Sequence, residues 1–283
     1  MYRIALRYIA LLLLSTTPVY AADTGPTPLV LAVHPYLSTA EIQKRFTPLA
    51  AYLGKVMGRQ VVVRVGRNYE DHIDAIGTNT VDIAFLGPVP YVIMVSKYGQ
   101  KPFLARIALN GKPVLEGVII TRQDSPLHTL SDLRGKRFAF GDPDSTMATV
   151  LPLYFLKKAG VPKTDLASYE HLASHKNVAL GVLTGDFDAG AVKTEVFEEL
   201  QSRGLRILAN LPTVPEHIFI TRSDMPPAQV QVLRKALLEL KNQPDGPAIM
   251  QAIHKDMTEM SAATDAEYND LRKVLVDLGI LRL

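Results

Sequence analysis

Between residues 28 and 214, short apolar runs of strand character alternate with amphipathic helical patterns, which commits the chain to an α/β fold with largely parallel sheets. Residues 28–33 (PLVLAV) read as a first strand. After a loop at 34–37, Ser38 and Glu41 have capping-box spacing, and Ile42, Phe46, Leu49, Leu53 and Val56 share one helical face that Gly58 ends. A strand at 61–65, a helix at 69–76 and a strand at 81–86 follow. Gly87-Pro88 then opens a helix that runs to Lys97, with Gly99 past its end. Later strands are expected at 115–121, 137–140 and 205–214. From Met225 the pattern is helical and polar-faced (226–241, 246–257, 265–278), a tail that packs on the first lobe and carries no chemistry.

The first residues have the form of an export leader. Arg3 and Arg7 precede an apolar run at 8–14, and Val19-Tyr20-Ala21 forms a small-residue cleavage site, so cleavage after Ala21 and a periplasmic location are expected. The apolar run is too short to span a bilayer. Cysteine is absent, which removes a disulfide framework and the lipid-attachable residue of a lipoprotein leader. Losing 1–21 lowers the formal charge from +3 to +1, and no basic stripe with interleaved aromatics remains, so nucleic acid is excluded as a partner. About 260 residues are long for one compact lobe. Chain crossings near NGKP (110–113) and after the strand at 205–214 divide it into a first lobe (22–110 and 212–283) and a second (111–211), leaving a hinged cleft where ligands of such sheets bind.

An internal echo supports paired lobes. IDAIGTNTVDIAFLG (73–87) resembles ALGVLTGDFDAGAV (179–192), with Asp82 and Asp188 in matching places. An aspartate entering a buried strand binds nearby backbone amides more readily than a ligand.

The chemistry concentrates in FGDPDSTMATVLP (140–152). A strand ends in a Gly/Asp/Pro turn, and Ser145 caps an apolar helix that runs to Lys158 before Gly160. The first amides of such a helix lack internal partners and lie at the positive end of its dipole, where oxyanions bind. The Ser145 and Thr146 hydroxyls add donors; serving only as a cap is the plainer role of Ser145. Loops at 34–37, 68–69, 86–88, 144–147 and 174–175 all lie at strand carboxyl ends, along one edge of an open sheet. Ser174 caps a helix through Leu183, so His175 faces the same opening as a hydrogen-bond donor, or serves as a surface histidine. Tyr69 offers a phenolic donor, or fills a core.

The succession AVHPYLSTAEIQKRFTPLAAYL, NYEDHIDAI, VDIAFLGP, DLRGKRFAFGDPDSTMATVLP, ASHKNVALGVLTGDFDAGAV and LPTVPEHIFITRSDMP resembles the phosphate/phosphite/phosphonate substrate-binding proteins of ABC importers. The resemblance implies a type II periplasmic binding fold of two lobes with a hinge and an interlobe ligand cleft. It also implies a small oxyanion ligand, a permease partner, no cofactor and no catalysis. Contacts to the anion would come from Tyr69, Ser145, Thr146 and His175, with the Met147 amide where the family often has a third hydroxyl. A pocket tyrosine of phosphonate binders matches Leu115, and the acid that holds an aminoalkyl group matches His217, beside Glu216. An oxyanion smaller than 2-aminoethylphosphonate, or differently substituted, is therefore expected.

Four to six oriented neutral donors, each contributing about 1.5 to 3 kcal/mol toward an ionised oxygen, would sustain micromolar binding without a cage of lysines. Three other readings are open on sequence alone. They are a receptor of the same fold, again expected to be a monomer, signalling to a membrane kinase or chemoreceptor instead of a permease, a hydrolase using Ser145, His175 and Asp188, and a metal site built from His171 and His175 with His34, His72 or His217.

Overall fold

The computed structural model describes residues 26–282, so the expected leader and its cleavage site lie outside the described residues. The chain opens with β1 (Leu29–Val33), α1 (Thr39–Met57), β2 (Val61–Val65), α2 (Tyr69–Gly77), β3 (Ile83–Leu86) and α3 (Pro88–Tyr98). The caps act as the sequence requires: Ser38 Oγ accepts the Glu41 amide, and Gly58 ends α1 at φ 59°. Ile42, Phe46, Leu49 and Leu53 are buried under α1, while Val56 is partly exposed. Next comes β4 (Phe103–Leu109), a strand that the pattern of the sequence does not announce.

The middle of the chain holds β5 (Val114–Leu115), β6 (Gly117–Arg122), β7 (Arg137–Phe140), α4 (Leu151–Lys158), β8 (Ser168–His171), α5 (His175–Leu183), β9 (Ala189–Lys193), α6 (Thr194–Leu200) and β10 (Leu205–Asn210). The return path contains β11 (Val214–Pro215), β12 (Ile218–Thr221), α7 (Pro227–Leu238), α8 (Gly246–Ile253), β13 (Met257–Ser261) and α9 (Asn269–Asp277).

Two sheets organise these elements: β13-β4-β12-β3-β1-β2 in the first lobe and β10-β6-β9-β7-β8 in the second. Between them runs a two-stranded ribbon in which β5 and β11 pair antiparallel. The expectation of largely parallel sheets is corrected. Pairs β1–β2, β1–β3, β7–β8 and β7–β9 are parallel, but β12, β13, β6 and β10 join antiparallel. The reason lies in the connectivity: β6 and β12, the first sheet strands after each crossing, enter their sheets from the opposite end, and β10 and β13 are added antiparallel at the edges beside β6 and β4.

The crossings also break two expected strands. The run at 115–121 divides at Glu116 into a ribbon strand and a sheet strand, and 205–214 divides in the same way. In the tail, α8 stops at Ile253 and β13 takes over. The tail is not confined to the first lobe either, because α9 packs on both α3 and α4, burying Leu271 and Leu275 in a core shared with Phe138 and Leu151 of the second lobe.

The echo is structural. Asp82 Oδ2 accepts the Val30 amide at the start of β1, and Asp188 Oδ2 accepts the Arg137 amide at the start of β7, both at 2.8 Å. Arginines 222 and 137 complete the two carboxylates.

Candidate ligand site

Tyr69 and His175 open α2 and α5, helices that occupy matching places in the two lobes. Asn68 caps the first by accepting the Asp71 amide (2.7 Å), and Ser174 caps the second by accepting the Asn177 amide (3.2 Å). Each cap holds its helix's first side chain over the strand ends, and both residues are buried against one small, tightly closed gap. Leu115, Ser145, Thr146, Met147 and His217 line the same gap, with His34, Gly87 and Lys193. All seven side chains singled out in the sequence thus meet at one place.

The Ser145 turn departs from a plain helix start. Residues Thr146–Val150 form a π turn before α4, and the Ser145 carbonyl accepts from both Thr149 (3.1 Å) and Val150 (3.0 Å). Pro152 supplies the cause, since it has no N–H to give the Ala148 carbonyl. The Gly141 amide fills that vacancy at 3.0 Å. Single π turns are frequent at functional sites. Here the wide turn leaves Ser145 as the cap, its Oγ accepting the Ala148 amide at 3.3 Å, while its hydroxyl also faces His175 Nε2 at 3.4 Å. Thr146 Oγ1 accepts the Val89 amide from the opposite lobe at 3.0 Å, which directs its own hydrogen elsewhere.

Ring tautomers follow from the partners. The Lys193 backbone N–H donates to His175 Nδ1 at 3.1 Å, so the neutral ring keeps its hydrogen on Nε2, toward the gap. Burial first, then the charge of Lys193, pulls His175 down to about 3, so it donates as a neutral ring. His217 Nδ1 donates to the Glu216 carboxylate, and its Nε2 lies 3.4 Å from Lys193 Nζ, from which it accepts. Burial raises Glu216, but His217 and Lys193 outweigh it and keep the carboxylate below its ordinary range. Burial also pushes the Tyr69 hydroxyl upward, so it stays a donor.

Lys193 is the residue that sequence reasoning missed. Its ammonium also sits 4.6 Å from the centre of the Tyr36 ring, and burial lowers its pKa. The expected wall of neutral donors therefore has one cation in it. The echo held the signal: extended by one residue, it pairs Lys193 with Gly87, both at the end of a buried strand and just before a helix. Beyond Lys193, His217 and Leu115 lies a larger chamber, lined also by Tyr36, Glu195 and His254.

The remaining expectations for these side chains do not assemble. Asp188 is held by Arg137, and His175 takes a backbone amide where a triad would need an acid. His171 binds the Gly141 carbonyl and is exposed. Among the described residues, no group of three or more His, Cys, Asp or Glu side chains is placed to hold a metal ion.

Comparison with known proteins identifies the family. Residues 31–268 match the family described as the periplasmic substrate-binding protein of the phosphonate ABC transporter. The phosphonates-binding periplasmic protein of Escherichia coli is 24% identical over 227 residues, 76% of this chain and 67% of that protein. A probable ABC transporter phosphite-binding protein of Prochlorococcus marinus is 24% identical over 261 residues, 87% of this chain and 84% of its own. Among solved structures, a Prochlorococcus marinus protein in complex with methylphosphonate superimposes with a TM-score of 0.81 at 20% identity, covering 89% of this chain and 98% of that one.

Proposed function

The chain belongs to the family of periplasmic substrate-binding proteins of phosphonate ABC transporters, and from that premise we propose that it captures a small phosphorus oxyanion between its lobes for an importer. The phosphonate, phosphite or phosphate class is the ligand. One observation supports the proposal: the hydroxyl-bearing Ser145, Thr146 and Tyr69 and the ring of His175 come from both lobes to line a single small gap. In this reading the Met147 amide and Lys193 complete the grip, while Leu115 and His217 form the wall beside the ligand's substituent. An alkylammonium substituent would meet the Lys193 ammonium, which disfavours 2-aminoethylphosphonate.

The protein acts as a monomer in the periplasm after losing residues 1–21, and it releases its ligand unchanged. The lobes divide at 22–110, 111–211 and 212–283, with the β5–β11 ribbon as hinge. A thermal-shift panel of phosphate, phosphite, methylphosphonate, 2-aminoethylphosphonate, sulfate and small carboxylates tests this. A ligand at 100 times its Kd adds about 2.7 kcal/mol of stability. The phosphorus oxyanions should raise Tm and the carboxylates should not; a panel in which no phosphorus acid protects the protein overturns the reading.

A further inference from the structure

His34 brings to the gap an acceptor nitrogen that no side chain or amide of the described residues fills. The Phe85 carbonyl lies 3.1 Å from both His34 Nδ1 and His72 Nε2. A carbonyl only accepts, so both rings carry their hydrogen on those nitrogens. His34 Nε2 is then a bare lone pair with no partner among the described residues, on a side chain 1% exposed that lines the gap. Its ring is pinned by His217 (centroids 5.1 Å, 15° between planes) and by the edge of Tyr69 (5.0 Å, 73°), so it is held in place from both sides. A fully deprotonated oxyanion would set an oxygen lone pair against this one; an oxygen that carries hydrogen makes a bond there.

We propose that the site binds its tetrahedral anion with one proton on the line between a ligand oxygen and His34 Nε2, and so selects the singly protonated form. The remaining oxygens take the hydrogens of Ser145, Thr146, Tyr69, His175 and Lys193. The inference rests on the phosphorus-oxyanion reading and narrows it to anions that still hold a proton near neutral pH. Sulfate, which holds none, is excluded.

The titratable groups facing His34 are Tyr36 from its own loop, Tyr69 and His72 from α2, His217 beside Glu216 from the return crossing, and Lys193 from β9. Of these, Lys193 also weakens anion binding as pH rises, but at one pH common to every ligand. A ligand-borne proton places the break at each ligand's own second pKa.

Calorimetric titration of the mature chain with methylphosphonate, phosphite, phosphate and sulfate, across roughly pH 6 to 9, separates the two. The expected result is constant affinity below each ligand's second pKa, about tenfold weakening per pH unit above it, and uptake of one proton per ligand bound there. His34→Gln, which can offer either an oxygen or an N–H at this position, should raise sulfate affinity relative to phosphate by about tenfold or more. Flat affinity, a break shared by all ligands, or wild-type sulfate binding equal to phosphate would overturn the inference while leaving the proposed function intact. Absence of binding by any of the three phosphorus acids overturns both. If His34→Gln does not fold, the wild-type comparison decides alone.

Discussion

Ser145 and Thr146 each serve two masters, a backbone amide and the gap, and this makes their loss measurable in two ways. Alanine at either position removes a hydroxyl donor worth about 1.5 to 3 kcal/mol toward an ionised oxygen, so ligand affinity should fall tenfold or more in calorimetry. Ser145→Ala also removes a cap, at about 1 kcal/mol in urea unfolding. The histidines give a pH signature. Burial pulls His72 down to about 4 and His175 to about 3, against about 6.5 in the unfolded chain. The folded state therefore binds fewer protons, and its stability is full above about pH 6.5 and lost as pH falls toward 4. Each ring contributes up to about 1.4 kcal/mol per pH unit there. Asp144, raised to about 6 by burial and by Asp142, works in the opposite sense over part of that range. Urea midpoints at successive pH values should fall on acidification, and less steeply in His72→Gln. These gap-lining residues were legible because capping and donor chemistry leave marks in a few neighbouring positions. Lys193 left none of its own, since a lysine after a buried strand reads as a surface charge.

The elements that sequence places best are those with strong local signals, and two of them, α2 and α5, carry gap residues. Helices α1, α2 and α5 follow from their caps, and β2 and β7 from short runs rich in apolar residues. What local pattern does not encode is pairing at a distance. Strand β4 runs through Arg106, buried with Glu267 as its partner, so its alternation is masked, and β13 is recognisable only by its ladder with β4. The π turn belongs with these: Pro152 frees the Ala148 carbonyl, but that the distant amide of Gly141 takes it up is not written in the local sequence. Packing beneath that turn is tight. A Cβ on Gly117, at the start of β6, would come within 2.8–2.9 Å of the Met147 side chain. Gly117→Ala should therefore displace the turn and weaken ligand binding, at a stability cost of about 1 to 3 kcal/mol. Unchanged affinity in that variant would show that the turn's position does not matter.

For the whole molecule, the last helix is the part that sequence placed least well. Its polar face suggested a passive cover on the first lobe, yet α9 reaches across to α4, where Lys157 Nζ holds the Asp277 carbonyl at 2.8 Å. Leu275 is fully buried in the core common to both lobes. Leu275→Ala should cost about 2 to 5 kcal/mol in urea unfolding, and a single cooperative transition is expected because the two bodies share that core. The ribbon between them is equally specific in what it permits. Strands β5 and β11 are paired, and the bonds from Glu216 N to Pro113 O and from Leu211 N to Gly117 O extend the pairing at both ends. Any lobe closure that the proposed function requires must therefore bend two tied strands together instead of two independent ones, and must carry the bridging helix α9 with it.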